Sequence, residues 1–228
     1  MHQEFVIIVA GGIGSRMKSD RPKQFLDLNG EPIIIRTIKC FLKYNPQIQI
    51  VICVHKNYKA HLEGIIEKSG IEAQNIQITF GGETRFASVK NGLQLISDPD
   101  AVVGIHDAAR PFVSQQTIAL CYETAALKGS AVPCIAVHES MRKISNNINN
   151  SVNRHEYKII QTPQCFLTSK IKNAFDREYS SVFTDDATVL ESSGETIVLV
   201  EGNEENIKIT SPHDFLLASA MVSHPNLT

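Results

Sequence analysis

Short runs of apolar and β-branched residues alternate along this chain with stretches whose apolar residues recur at helical spacing. Strand-like runs fall at residues 5–10, 49–54, 76–80, 101–105, 130–137 and 196–200. Helical spacing covers 33–44, 58–69, 84–96, 117–128, 168–179, 185–193 and 212–221. The strand runs are nearly continuous in apolar character, as expected where both faces of a sheet are covered. Strands separated by helices, joined by right-handed crossovers, predict an α/β fold: a Rossmann-like three-layer sandwich with a mostly parallel sheet. Ligands of such sheets sit at the carboxyl ends of the strands. The segments after residue 10, at Gly81-Gly82 and at His106-Asp107 all lie at such ends.

Residues 138–158 break the alternation. The polar run Ser145-Asn146-Asn147-Ile148-Asn149-Asn150-Ser151 favours a turn, and its flanks at 141–144 and 155–160 read as extended. This predicts a protruding β-hairpin arm at about residues 138–160 of a single 228-residue domain. A projecting arm either packs on a partner subunit or stays a surface loop.

Composition narrows the partners. A net charge of −2 lacks the basic face that nucleic acid requires, while local positive charge can still serve one anionic small molecule. The five cysteines are odd in number and form no Cys-x-x-Cys pair, which argues against a disulfide framework or structural zinc and fits a reducing cytoplasm. No leader pattern opens the chain and no run approaches a membrane span, so no membrane association is expected.

The candidate chemistry begins at Val9-Ala10-Gly11-Gly12-Ile13-Gly14-Ser15-Arg16-Met17, followed by Pro22-Lys23-Gln24. A buried strand runs into a glycine-rich loop carrying Arg16, Lys18, Arg21 and Lys23. Glycines let backbone N–H groups face a ligand closely, and cations beside them suit a phosphate chain. The loop lacks the Gly-Lys-Ser/Thr of a Walker A motif, and Met17 stands where a dinucleotide fingerprint needs its third glycine. Asp107 closes an apolar strand, where a carboxylate either holds Mg²⁺ or serves as a turn residue. Gly81-Gly82 permits approach of a flat base, with Ser88 in the following helical turn. Thr184 precedes a helix as an N-cap and anion site. Lys208, between Ile207 and Ile209, points a cation toward a carboxylate or phosphate, or lies on a solvated face.

Taken in order, these motifs resemble those of the methylerythritol phosphate cytidylyltransferases of isoprenoid biosynthesis, the IspD family. Further matching segments are Arg85, Ala108-Ala109-Arg110-Pro111, Gln161-Thr162-Pro163-Gln164, Thr184-Asp185-Asp186-Ala187, Val200-Glu201-Gly202 and Asn206-Ile207-Lys208. The loop form Ala-Gly-Gly-Ile-Gly-Ser-Arg-Met also resembles ribitol 5-phosphate cytidylyltransferases. The resemblance implies transfer of CMP from CTP to 2-C-methyl-D-erythritol 4-phosphate, with Mg²⁺ as cofactor. It implies catalytic roles for Arg16, Lys23, Arg154 and Lys208. CTP binding falls to Ala10, Gly11, Gly12, Gly14, Gly82, Arg85, Ser88 and Asp107. Polyol phosphate binding falls to Asp107, Arg110, Ser140, Arg154, Thr162, Thr184 and Lys208, and the metal to Asp107. It also implies a homodimer in which the arm carries Arg154 into the partner's site. Less close readings are a sugar-1-phosphate nucleotidyltransferase and a non-catalytic nucleotide sensor. His106 is expected to pack rather than to shuttle protons, because an already ionised phosphate oxygen needs no catalytic base.

Overall fold

The computed structural model describes residues 2–12 and 21–224. Its strands are β1 (Glu4–Ala10), β2 (Gln49–Val54), β3 (Ile76–Phe80), β4 (Val102–Asp107), β5 (Ser130–Ala136), β6 (Arg142–Ser145), β7 (Ile148–Ser151), β8 (Lys158–Ile160), β9 (Gln164–Leu167) and β10 (Leu199–Glu201). Its helices are α1 (Ile33–Tyr44), α2 (Lys59–Lys68), α3 (Arg85–Leu93), α4 (Gln115–Lys128), α5 (Thr168–Phe175), α6 (Asp186–Glu191) and α7 (Pro212–Ser223). No described helix is long and apolar enough to cross a membrane.

The main sheet runs β10-β5-β9-β4-β1-β2-β3, with β8 also paired to β5. Alternate residues of β1 feed opposite layers, as the two-residue period of a strand requires. Val6, Ile8 and Ala10 join Ile34, Ile38 and Phe41 of α1, Leu62 of α2 and Tyr122 of α4 on one face. Phe5 and Ile7 join Phe86 and Val89 of α3, Ile171 of α5 and Leu190 of α6 on the other. The result is the expected three-layer sandwich. Burial on both faces explains why β1, β2 and β4 read as continuous apolar runs.

Three features depart from the sequence expectations. First, β9 lies between β4 and β5 and runs antiparallel to both, with β8 antiparallel to β5. Its sequence, Gln-Cys-Phe-Leu, is too short and too polar at its start to announce a central strand. Second, the hairpin is shorter than its predicted span. The turn is made by Asn146 and Asn147 at φ 50° and 62°, the left-handed region that asparagine tolerates. The second half of the polar run is not turn but strand β7, paired from Arg142↔Ser151 to Ser145↔Ile148. The stretch expected to return the arm instead supplies β8 to the main sheet. Third, the strand expected at 196–200 is only Leu199–Glu201, because β5 offers it pairing only at Val132–Cys134.

The register along β5 changes between Cys134↔Ile160 and Ala131↔Cys165. Gln161 N still donates to Pro133 O at 2.8 Å, but Thr162 and Pro163 leave the ladder, and this places Thr162 beside the end of β4.

Helix α7 shows how local sequence sets an element. Ser211 caps it, Pro212 occupies the first turn, and Asp214 closes a capping box. The Asp214 carboxylate also accepts from Thr210 N and Oγ1. Burial works against its charge, but these hydrogen bonds outweigh burial and bring its pKa down to about 2 from 3.8. A carboxyl depressed by folding adds stability above its unfolded pKa and loses it as pH falls to the folded value. Asp214→Ala is therefore expected to lower the melting temperature at pH 7, by the few degrees that ~1 kcal/mol represents in a chain of this size. The gap to wild type should narrow between about pH 4 and pH 2. Parallel thermal melts across that range check both statements.

Candidate active site

The carboxyl ends of β1 and β4, with the turn after β3, enclose a cleft of about 350 Å³. Ala10, Gly11, Gly12, Lys23, Gly82, Arg85, Ser88, Asp107 and Lys208 all line it, so the structure brings most of the sequence candidates together. Glu83 and Thr84, directly after Gly81-Gly82, line it too, as does Thr210, though none was a candidate.

One wall is backbone. A side chain at Gly81 would place its Cβ 3.0 Å from Ser88 Oγ and 3.4 Å from Gly11 Cα, so the two glycine turns touch. Ser88 Oγ accepts from Gly82 N at 3.0 Å and donates to Thr84 O at 3.0 Å. The Ser88 hydroxyl thus braces the turn. On the same wall, the buried Gln24 amide donates to Ala10 O at 2.7 Å and Gly12 O at 3.0 Å. Tying down those carbonyls fixes the peptide planes between them, which leaves a backbone wall with little side-chain bulk at Gly11, Gly12, Gly81 and Gly82.

The opposite wall is charge. Asp107, 8% exposed, ends β4. Its Oδ2 lies 3.0 Å from Lys208 Nζ and 3.2 Å from Arg110 Nε, and its Oδ1 lies 3.7 Å from Arg85 Nε. Burial pushes the carboxyl toward its neutral form, but Arg85, Lys208 and Arg110 more than offset this and hold it well below the usual carboxylate range. Arg110 also donates to Asn206 O at 2.7 Å. Arg85 in turn meets Asp186 through two bonds of 2.7 and 2.6 Å.

Behind the carboxylate, Asp107 N donates to Thr162 Oγ1, which meets His106 Nδ1 at 3.0 Å. His106 Nε2 meets Arg110 O at 3.1 Å. These partners assign a neutral ring with its proton on Nε2. Full burial drives its pKa down to about 4, so it holds no charge at neutral pH. His106 packs edge-on against Phe41, as expected for a structural residue.

Other candidates sit elsewhere. Thr162 is buried, and its hydroxyl holds the Asp107 backbone rather than opening on the cleft. Arg110 stands behind Asp107 and is absent from the cleft lining. Thr184 is exposed and is not the helix cap. Asp185 caps α6, because its carboxylate accepts from Thr188 N while Thr188 returns a bond to Asp185 N. Ser140 and Arg154 are exposed at the base of the hairpin, away from this cleft. Gly14 and Arg16 lie outside the described residues.

Among the described residues no cluster of three or more metal-binding side chains occurs. The cleft lining does include the carboxylates Asp107 and Glu83. That donor set fits a magnesium ion that keeps waters and takes its other ligands from a triphosphate.

The glycine wall makes a separate prediction. A methyl group on Gly82 would overlap the Cβ of Ala87 and stand 3.2 Å from its carbonyl carbon, whereas one on Gly12 meets nothing within 4 Å among the described residues. Gly82→Ala should cost about 1–3 kcal/mol, a drop of several degrees in melting temperature, with Gly12→Ala close to wild type. Differential scanning fluorimetry of the two variants side by side reads the difference.

Comparison with known proteins agrees with this geometry. Residues 5–224 match the family model described as IspD, 2-C-methyl-D-erythritol 4-phosphate cytidylyltransferase. The Bacteroides fragilis protein of that name is 44% identical over 216 residues, covering 95% of this chain and 98% of the relative. The Geobacillus kaustophilus protein of that name is 34% identical, covering 95% and 96%. The crystal structure of the Francisella tularensis enzyme superposes with a TM-score of 0.77 at 32% identity, covering 96% and 99% of the two chains. With the family model spanning nearly the whole sequence and these relatives matching end to end, the chain belongs to the 2-C-methyl-D-erythritol 4-phosphate cytidylyltransferase (IspD) family.

Proposed function

We propose that this protein transfers CMP from CTP to 2-C-methyl-D-erythritol 4-phosphate, giving 4-diphosphocytidyl-2-C-methyl-D-erythritol and pyrophosphate. The observation that carries the reading is the meeting, in one cleft, of a backbone wall with the charge cluster around Asp107. A wall formed largely by glycine backbone suits a flat base and its ribose. Lys23 and Lys208 beside it suit two polyanions that must approach each other.

The acceptor phosphate is ionised at neutral pH. One of its oxygens attacks the α-phosphorus of CTP, forming a new P–O–P bridge. The bond from the α-phosphorus to the β-bridging oxygen breaks, and pyrophosphate leaves with that electron pair. Arg16, Lys23 and Lys208 act by charge stabilisation, and binding both substrates side by side supplies proximity. Asp107 and Glu83 would hold Mg²⁺, which neutralises triphosphate charge when bound. Lys208, resting on Asp107, exchanges that carboxylate for the incoming phosphate.

The arm belongs to the same proposal. Ile144 and Ile148 are 76% and 65% exposed on the hairpin, an apolar tip suited to a second copy of the chain. In that dimer Ser140 and Arg154 reach the partner's cleft and align the acceptor phosphate. A cytoplasmic location fits the five free thiols.

Pyrophosphate release from CTP and Mg²⁺ should occur with 2-C-methyl-D-erythritol 4-phosphate and not with ribitol 5-phosphate; the reverse pattern would reassign the acceptor. Lys208→Ala should lower kcat/KM by ~10²-fold, the scale for removing a preorganised charge donor. Mixing inactive Arg154→Ala and Lys23→Ala subunits should restore part of the activity, since one hybrid site then holds both residues. Failure to recover activity after verified subunit exchange would mean that each site is built from one chain.

A further inference from the structure

We propose that Asp186 is a positioning residue for the transfer reaction, acting through Arg85 on the Asp107 carboxylate that faces the cleft. The proposal rests on the transfer reading above. Asp186 is fully buried at the start of α6 and does not line the cleft. Both of its oxygens are taken by one guanidinium: Oδ1 by Arg85 Nη1 at 2.7 Å and Oδ2 by Nη2 at 2.6 Å. A fork against a fork fixes the plane of the guanidinium as well as its place.

That orientation has a consequence at the other edge of Arg85. Nε, on the side away from the fork, faces Asp107 Oδ1 at 3.7 Å. Lys208 and Arg110 both take Oδ2. Arg85 is therefore the cation placed against the remaining oxygen, and its placement is dictated from α6. Burial opposes the Arg85 charge, and Asp186 more than offsets it, so the guanidinium is held charged more firmly than in water.

The anchor is itself held. Gln164, from β9, donates to Asp185 Oδ2 at 2.8 Å and accepts from Ala187 N at 2.8 Å, one residue on each side of Asp186. The capping box at Asp185 closes the same turn. A chain of contacts thus runs from the sheet, through α6 and Asp186, to Arg85 and the cleft. Asp107 and Asp186 set against Arg85, Arg110 and Lys208 leave one net positive charge. With Asp186 neutral, Arg85 loses its anchor and is drawn toward Asp107 or the phosphates, and the alignment of Asp107 with Lys208 is lost.

A double-mutant cycle in the CMP-transfer assay tests this, with kcat and KM for both substrates measured well below each variant's melting temperature. Asp186→Asn should lower kcat by ~10-fold or more, within the range a small misalignment produces, while KM for CTP changes less than ~3-fold. Arg85→Gln should lower kcat comparably, and the double variant's kcat should be no worse than the weaker single within ~2-fold, as for residues acting in series. A purely structural pair would instead lower the melting temperature of Asp186→Asn with kcat within ~2-fold of wild type, which overturns the proposal. Losses that multiply in the double variant overturn it as well. Should Asp186→Asn not fold, Arg85→Lys carries the test, since it keeps the charge and a contact to Asp186 but has no Nε. A comparable loss in kcat supports the proposal, and an unchanged kcat overturns it. Wild-type protein that turns over no acceptor overturns the transfer reading and this proposal together.

Discussion

A carboxylate at the end of a central strand, almost closed off from water, must be balanced or neutralised, and Asp107 is balanced by three cations at once. The dependence runs both ways. Arg85, Arg110 and Lys208 would repel one another if gathered around an empty space, and the carboxylate between them makes their approach tolerable. A cleft intended for polyanions can therefore hold its cations together before any polyanion arrives. The three come from three segments: the first turn of α3, the loop after β4, and the stretch preceding α7. Their convergence ties the two helical layers and the C-terminal segment to one atom group on the sheet.

The backbone beneath that group is equally constrained. Thr162 reaches it because residues 162–163 leave the β5 ladder, and His106 is kept uncharged there by complete burial. The opposite wall achieves rigidity without charge, through the contact of two glycine turns and the two bonds of the Gln24 amide. One side of the cleft is thus fixed by electrostatics and the other by close packing.

Much of this was legible in the sequence, for reasons that differ by element. β1, β2 and α1 could be read because two-sided burial writes long apolar runs and helical spacing into them. Asp107 and Lys208 could be read because a charge embedded among apolar residues is conspicuous. β9 could not, since four residues opening on glutamine look like loop until β4 and β5 are known to flank them. The division of Thr184-Asp185-Asp186 was hidden as well. All three residues are polar and plausible caps, and only geometry shows Asp185 capping, Asp186 pairing with Arg85 and Thr184 exposed. The polar hairpin run gave its turn but not its strand, because β7 faces solvent throughout and carries no alternation to reveal it.

The place of β9 also bears on the order in which the chain assembles. β4 and β5 each pair with it and are not neighbours of one another, so the sheet cannot close until residues 164–167 are present. Until then, a growing chain that already contains β1 to β5 holds the β3-β2-β1-β4 block and a lone β5, each with an unpaired apolar edge. Such edges are templates for pairing with other chains. The segment that completes the sheet also carries Gln164, which sets the turn holding Asp186. Insertion of β9 covers the facing edges of β4 and β5 in the same event that begins to build the active site, which Asp186 and Lys208 complete only with the later part of the chain.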